Sequence, residues 1–323
     1  MSNMNHSRMT LCTLTAVAVV GLLAGCADTA VPPAGGTRSG NEHMLAAANI
    51  RIRDPFILTK GGTYYLVAAK DEAPRGVQVY ESADLRTWRP PRQVLTIPAS
   101  WDCTAVWAPE MHEYRGRYYL FVTLTFGATF PDGTKTAAAG ANRGTWIFRA
   151  DTISGPFHPL KNASHTPKDW MSLDGTLFVE DGHPYLVFCH EWLQTKDGTM
   201  ERLPLTDDLS DVAGRPVTLF RGSAVSNAKS GNYVTDGPFL FHQKDGSLNM
   251  LWSTFREESG YCLVQATSAS GKIAGPWNRR TIVFRADGGH GMLFRTKDGV
   301  RKLVIHQPNR GPDERMKIID FLE

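Results

Sequence analysis

Apolar and polar positions alternate along this chain in short runs. The clearest run spans residues 172–192, SLDGTLFVEDGHPYLVFCHEW. Leu173 and Thr176 to Val179 are β-favouring, and Asp181-Gly182 suits a tight hairpin turn that needs positive φ. His183 to Cys189 is again apolar, with Pro184 near its start, where a missing N–H matters least. The pattern predicts two paired strands. It recurs from Asp54 across Gly61-Gly62, from Ala108 across Arg115-Gly116, from Asp236 across Asp245-Gly246, and from His290 across Asp298-Gly299. The copies start roughly 54–64 residues apart, somewhat longer than common propeller repeats. Flanking segments repeat as well: Ile153 to Phe157 matches Ile273 to Trp277, and Asp84-Leu85 matches Asp208-Leu209. No stretch carries a long helical apolar period. Short strands with regularly spaced turns predict an all-β fold. Five such units closing on an axis predict a five-bladed β-propeller whose blades are four-stranded antiparallel sheets.

In a hairpin, the start of the first strand and the end of the second share an edge, so Asp174 and Glu191 are expected on the same rim. Each copy also opens with an ionisable residue: Asp54, Glu110, Asp174, Asp236 and His290. In a propeller these would crowd one end of the axis, an arrangement with little structural purpose. The 323 residues fit one propeller domain over 45–323. A net charge of +3 and the absence of basic runs interleaved with aromatics exclude a nucleic-acid partner class.

The N-terminus has its own logic. Residues 1–26 read as a secretory signal: a weakly basic start at His6-Ser7-Arg8, an apolar run from Leu11 to Leu23, then Leu22-Leu23-Ala24-Gly25-Cys26. The last run resembles the bacterial lipoprotein box, which implies cleavage before Cys26 and acylation of its thiol. Residues 27–44, rich in Ala, Pro, Gly, Thr and Ser, read as a flexible tether. A secreted monomeric lipoprotein in the periplasm or at the outer-membrane surface is therefore expected, held to the membrane by its lipid. The other mature cysteines, Cys103, Cys189 and Cys262, show neither a disulfide framework nor a CxxC zinc pair. Cys189 and Cys262 sit in apolar strand patterns and are expected as small core residues.

Around the charged positions the sequence offers further candidates. Pro55 forces extended geometry on the residue before it and so fixes Asp54, while Arg53 either holds a partner carboxylate or is solvated. Trp107 is either a sugar-stacking platform or core. Residues 127–145, long for a hairpin loop, are a candidate rim or lid, or a surface insertion. His190-Glu191 is not a zinc HExxH motif, because Gln194 occupies the second histidine position; His190 is expected as a hydrogen-bonding partner. Trp192 borders the same rim, and Gly288 to Gly291 would either leave the His290 imidazole exposed to the axis or make it a buried structural histidine. Carboxylates around an axial pocket, with no nucleophile constellation or phosphate loop, suit glycoside hydrolysis. One carboxylate activates water and one carboxylic acid protonates the leaving oxygen, and a third carboxylate raises the pKa of the acid.

Arg53-Asp54-Pro55-Phe56, Trp107-Ala108-Pro109-Glu110, Leu173-Asp174-Gly175-Thr176 and Thr235-Asp236-Gly237-Pro238-Phe239 together resemble glycoside hydrolase family 43 over about residues 50–310. The resemblance implies a five-bladed propeller acting by inversion, mostly on α-L-arabinofuranosides and β-D-xylosides, with galactosides left open. It implies Asp54 as general base and Asp174 as the residue that tunes the acid. Most members carry Glu where this chain has Asp236. Glu191, with its longer reach, is favoured as the acid; alternatively Asp236 is the acid, and otherwise it binds substrate. Substrate contacts are expected from Trp107, Trp192, Glu110 and Arg53. No cofactor is required, although the resemblance places a calcium ion or water cluster in the axial channel beside His290. Two rivals stand: a glycan-binding propeller without catalysis, motivated by the departure at Asp236, and a retaining fructoside hydrolase, whose Asn-Asp-Pro-Asn signature is absent at 53–56.

Overall fold

The computed structural model describes residues 43–127, 129–134, 142–226 and 231–321. The signal segment, Cys26 and most of the tether lie outside the described residues, as does much of the candidate lid. No helix among the described residues is long and apolar enough to cross a membrane.

The predicted hairpins form, and each becomes the inner half of one blade of a five-bladed propeller. Their inner and second strands are Phe56–Lys60 with Thr63–Lys70, Cys103–Tyr114 with Arg117–Phe126, Ser172–Glu180 with His183–His190, Asp236–His242 with Leu248–Arg256, and Gly289–Arg295 with Arg301–Gln307. Three turns hold two residues, between Lys60 and Thr63, Tyr114 and Arg117, and Glu180 and His183. Both loop residues in each have positive φ: Gly61-Gly62, Arg115-Gly116 and Asp181-Gly182. That geometry matches the twist of the flanking strands.

Two further antiparallel strands complete each of blades 1 to 4. Blade 5 differs from the four-stranded expectation. It has three strands, the outermost being Arg315–Asp320. Beside it runs the segment that enters blade 1, through an antiparallel bridge between Arg51 and Arg315 and the Ile52 N–H to Glu314 O bond of 3.3 Å. Chain entry and chain exit are thereby tied together next to Arg53 and Asp54.

The apolar core is distributed in layers between neighbouring blades. Phe121, Leu186 and Phe188 pack between blades 2 and 3. Met200, Trp252 and Cys262 pack between blades 3 and 4, and Leu251, Leu293 and Ile305 between blades 4 and 5. Cys189 and Cys262 are buried free thiols, as their apolar context predicts. These layers hold the inner strands rigidly around the axis.

Candidate active site

All five inner strands open with the same backbone feature. Asp54, Ala108, Asp174, Gly237 and His290 have φ of 49°, 41°, 56°, 53° and 48°. Each precedes Pro or Gly: Pro55, Pro109, Gly175, Pro238 and Gly291. In blades 2 to 5 the strand pairing shifts register across this point, as in a β-bulge. For a non-glycine residue the left-handed conformation costs about 1–2 kcal/mol, and a short polar side chain such as Asp tolerates it best.

The sequence reading aligned the blades on their charged residues. The backbone corrects that frame: Ala108 and Gly237 are the equivalents of Asp54, not Glu110 and Asp236. Three tiers result. Asp54, Ala108, Asp174, Gly237 and His290 form a floor. Arg53, Trp107, Leu173 and Asp236, one residue earlier, form a rim. Phe56, Glu110, Phe239 and Met292, two residues later, line an inner channel with room for about one water-sized sphere. A cavity of about 110 Å³ sits above the floor, lined by Arg53, Asp54, Trp107, Thr123, Arg143, Leu173, Asp174 and Asp236. It adjoins a second cavity of about 360 Å³ that shares Arg53, Asp54 and Trp107 and extends to Asp71 and Glu314.

Asp54, Asp174 and Asp236 thus converge on one cavity from three blades. Asp54 is buried, with Oδ1 3.1 Å from His290 Nδ1 and Oδ2 3.6 Å from Arg53 Nε. Arg53 is in turn anchored to Glu314 at 2.9 Å, so it serves as the carboxylate partner rather than as a solvated surface residue. Asp174 accepts the Gly237 N–H at 3.0 Å, and its own N–H donates to Thr123 Oγ1 at 2.8 Å. Asp174 and Asp236 are hydrogen-bonded to each other, and Asp236 also accepts from the Tyr261 hydroxyl. Burial, Asp236 and Asp54 push the Asp174 carboxyl well above the usual range. Burial also acts to raise Asp236, but the Asp174 hydrogen bond, His290, Tyr261 and Arg53 outweigh it and hold Asp236 below its ordinary value. The two carboxyls thus form a dyad whose members are pushed in opposite directions, and the dyad faces a third carboxylate, Asp54.

The remaining candidates fall in different places. Glu191 is buried, but both its oxygens are held by Arg143 Nη1, at 2.7 and 2.6 Å. Arg143, not Glu191, lines the cavity. In this geometry the guanidinium holds the Glu191 carboxylate outside the lining, where the sequence reading has it reaching in as the acid. Burial nevertheless raises its pKa, against the pull of Arg143. Glu110 lies in the inner channel, bonded to His112 at 2.8 Å, and does not reach the substrate-sized cavity. Trp192 starts a one-turn helix, Trp192–Thr195, half-buried and away from the lining. His190 is a satisfied partner, stacked on Trp170 at 4.0 Å and bonded to Gln194 at 2.8 Å. Trp107 stands at the rim, 36% exposed, so its ring is a cavity wall and not core. Its Nε1–H donates to Thr125 Oγ1, which also accepts from Arg143 Nε.

Thr123, Arg143, Tyr261, Glu314 and His306 were not singled out by sequence. Tyr261 and His306 lie within otherwise apolar strands, where nothing local marks them. Arg143 falls in the 127–145 stretch flagged as a rim, although residues from Asn142 onward form a strand, Asn142–Ala150.

His290 Nδ1 is buried without a hydrogen-bond partner, and His290, Asp174 and Asp236 each place one ligand atom within 4.8 Å of the others. Calcium takes about six to eight oxygen ligands. This trio offers one nitrogen and two carboxylates already bonded to each other and to Tyr261. It does not fit a calcium cage built from protein ligands, and no step below runs through a metal.

Comparison with known protein families matches residues 48–318 to "Glycosyl hydrolases family 43". The chain belongs to glycosyl hydrolase family 43. A solved family relative, "endo-arabinase from Bacteroides thetaiotaomicron VPI-5482", superposes with a TM-score of 0.75 at 37% identity, covering 88% of this chain and 98% of that one. The "Extracellular endo-alpha-(1->5)-L-arabinanase 1" of Bacillus subtilis (strain 168) is 28% identical over 207 residues, covering 60% of this chain and 59% of its own length. "Alpha-L-arabinofuranosidase 43" of Humicola insolens is 26% identical over 286 residues, covering 78% and 53%. The chain spans little more than half the length of these two curated relatives. Family 43 membership agrees with the propeller and gives the carboxylate cavity its chemical context.

Proposed function

We propose that this family 43 member hydrolyses α-L-arabinosidic bonds, as arabinan or arabinofuranosyl side chains, by single-displacement inversion. The observation that carries the reading is the cavity where Asp54 faces the proton-sharing Asp174–Asp236 dyad beneath the Trp107 wall. Asp54 stands apart from the dyad, on a different blade of the cavity lining, and serves as the base that activates water. The dyad supplies the acid, and Asp236, on the rim, delivers the proton to the leaving oxygen. Inversion needs base and acid roughly 6.5–9.5 Å apart, leaving space for the water. The Arg143–Glu191 pair positions the guanidinium as a fixed donor at the cavity edge. Arabinose is favoured over xylose and galactose because the relatives named above act on arabinans or arabinofuranosides.

The test is hydrolysis of linear arabinan and of 4-nitrophenyl α-L-arabinofuranoside, followed by proton NMR of the first-formed anomer. β-Arabinose first supports the reading. α-Arabinose first rejects inversion, and no turnover of any arabinoside rejects the substrate. A lipid anchor at Cys26 would hold the enzyme at the cell envelope. Radiolabelled palmitate incorporation that Cys26→Ser abolishes tests it, and unchanged labelling rejects it.

A further inference from the structure

Two buried rings join the base to the acid dyad. His306, from the second strand of blade 5, is fully buried; its Nδ1 accepts the Asp54 N–H at 3.2 Å, so the imidazole is neutral there and Nε2–H donates to Asn309 Oδ1 at 3.1 Å. The His306 ring stacks on Tyr261 of blade 4, with centroids 5.6 Å apart and planes 17° off parallel. The Tyr261 hydroxyl donates to Asp236 Oδ2. Room for this ring is made by Gly289, where a Cβ would come within 2.8 Å of Tyr261 Cε1. Asp54 from blade 1 and Asp236 from blade 4 are thus linked through His306 and Tyr261, with Asn309 fixing the far nitrogen of His306; none of the three lines the cavity.

We propose that Tyr261 and His306 are positioning residues: the stacked pair fixes the separation of base and acid, and the Tyr261 hydroxyl steers the dyad proton from Asp236 towards Asp174. The role follows from donor chemistry. A hydroxyl donating to a carboxylate favours its ionised form, so Tyr261 keeps Asp236 the acceptor and Asp174 the proton carrier until substrate enters. The leaving oxygen then offers Asp236 a new partner, and the proton passes along the existing carboxyl–carboxyl hydrogen bond. The charged and titratable groups around this contact are Asp174 from blade 3, Arg53 and Asp54 from blade 1, and His290 from blade 5. His306 itself is held below its ordinary range by burial, against the pull of Asp54, consistent with a neutral spacer.

This inference rests on the hydrolase reading, so its test has two readouts. Tyr261→Phe keeps the ring against His306 and removes only the hydroxyl. The high-pH limb of kcat/KM, which reports loss of the dyad proton, should move up by about one pH unit, while the low-pH limb stays in place. A uniform fall at every pH with no movement of the limb would mean a purely structural tyrosine and overturn the proposal. Independently of turnover, thermal unfolding of Tyr261→Phe, Asp236→Ala and the double variant should be non-additive, because Asp236→Ala removes the acceptor and the second substitution finds no bond left to break. Additive melting shifts would reject the contact. If the protein hydrolyses no arabinoside, this second cycle still decides the contact, so the two failures are distinguishable.

Discussion

Asp236→Asn and Glu191→Gln, compared side by side, decide which carboxyl is the acid. A positioned general acid contributes about 10²–10⁴-fold, or roughly 3–5 kcal/mol of barrier. On arabino-oligosaccharides, whose leaving alcohol needs a proton, Asp236→Asn should lose that amount in kcat. On a dinitrophenyl arabinofuranoside, whose leaving group departs as the anion, the loss should shrink to less than about tenfold, since protonation is no longer needed. Glu191→Gln should behave differently. Its two contacts to Arg143 become one, and the buried guanidinium keeps Thr125 but loses its counter-charge. Removing one partner of a buried ion pair costs about 3–5 kcal/mol. Arg143 retains 16% exposure and Gln still offers an acceptor, so on the order of 2–3 kcal/mol is expected. That is a fall in Tm of roughly 3–5 °C for a domain of this size. The accompanying rate loss should be equal for both leaving groups and fall mainly on KM. The reasoning is refuted if leaving-group dependence appears in Glu191→Gln and not in Asp236→Asn.

Three other outcomes follow from the same geometry. Asp174→Asn should abolish turnover while raising Tm at pH 8. The raised native pKa means the fold binds a proton that the unfolded chain has lost, so stability falls as pH rises from about 4 through the native value; the gain should vanish near pH 4 in differential scanning calorimetry, and a pH-independent difference would contradict the assignment. Gly237→Ala should cost roughly 2–4 kcal/mol in urea denaturation, because its φ is 53° and a Cβ would lie 2.8 Å from His290 Cγ; displacing His290 from Asp54 should also lower kcat. Trp107→Ala should raise KM about tenfold, or 1.4 kcal/mol, with little change in kcat, and an unchanged KM would remove Trp107 from the binding surface.

Much of the fold was legible in local chemistry. Gly-Gly, Arg-Gly and Asp-Gly between β-rich runs name their turns, because only a few residue types accept positive φ at both positions. The repeated Asp84-Leu85 and Asp208-Leu209 turns fold alike: Leu85 and Leu209 have φ of 65° and 63°, and each carboxyl is held near pKa 2, at Asp84 by the Thr87 and Arg86 N–H groups and at Asp208 by the Ser210 hydroxyl and N–H. The three-stranded fifth blade was not legible. Its missing partner is replaced by the entry segment around Arg51, more than 260 residues away in sequence, and no local pattern records such a closure. Glu191 shows the same limit at the site. Hairpin pairing brings it to the edge where Ser172 meets His190, but Arg143, contributed by a different blade, holds its carboxylate outside the cavity lining.

The five-fold register was visible in the sequence in a form that a search for charges passes over. Asp54-Pro55, Ala108-Pro109, Asp174-Gly175, Gly237-Pro238 and His290-Gly291 share a left-handed residue followed by Pro or Gly. In blades 2 and 4 that residue is Ala or Gly, so reading charges slid the frame by two residues at Glu110 and by one at Asp236. The backbone requirement also explains the chemistry of the tiers. A floor residue must tolerate positive φ and still reach the cavity with a short side chain, which selects Asp at positions 54 and 174. The rim residues carry no such demand, so the largest and most varied side chains, Arg53, Trp107, Leu173 and Asp236, gather there. On the proposed mechanism, backbone strain separates two jobs: the base and the proton-holding partner stand on the strained floor, while the groups proposed to meet the sugar and its leaving oxygen stand on the unstrained rim.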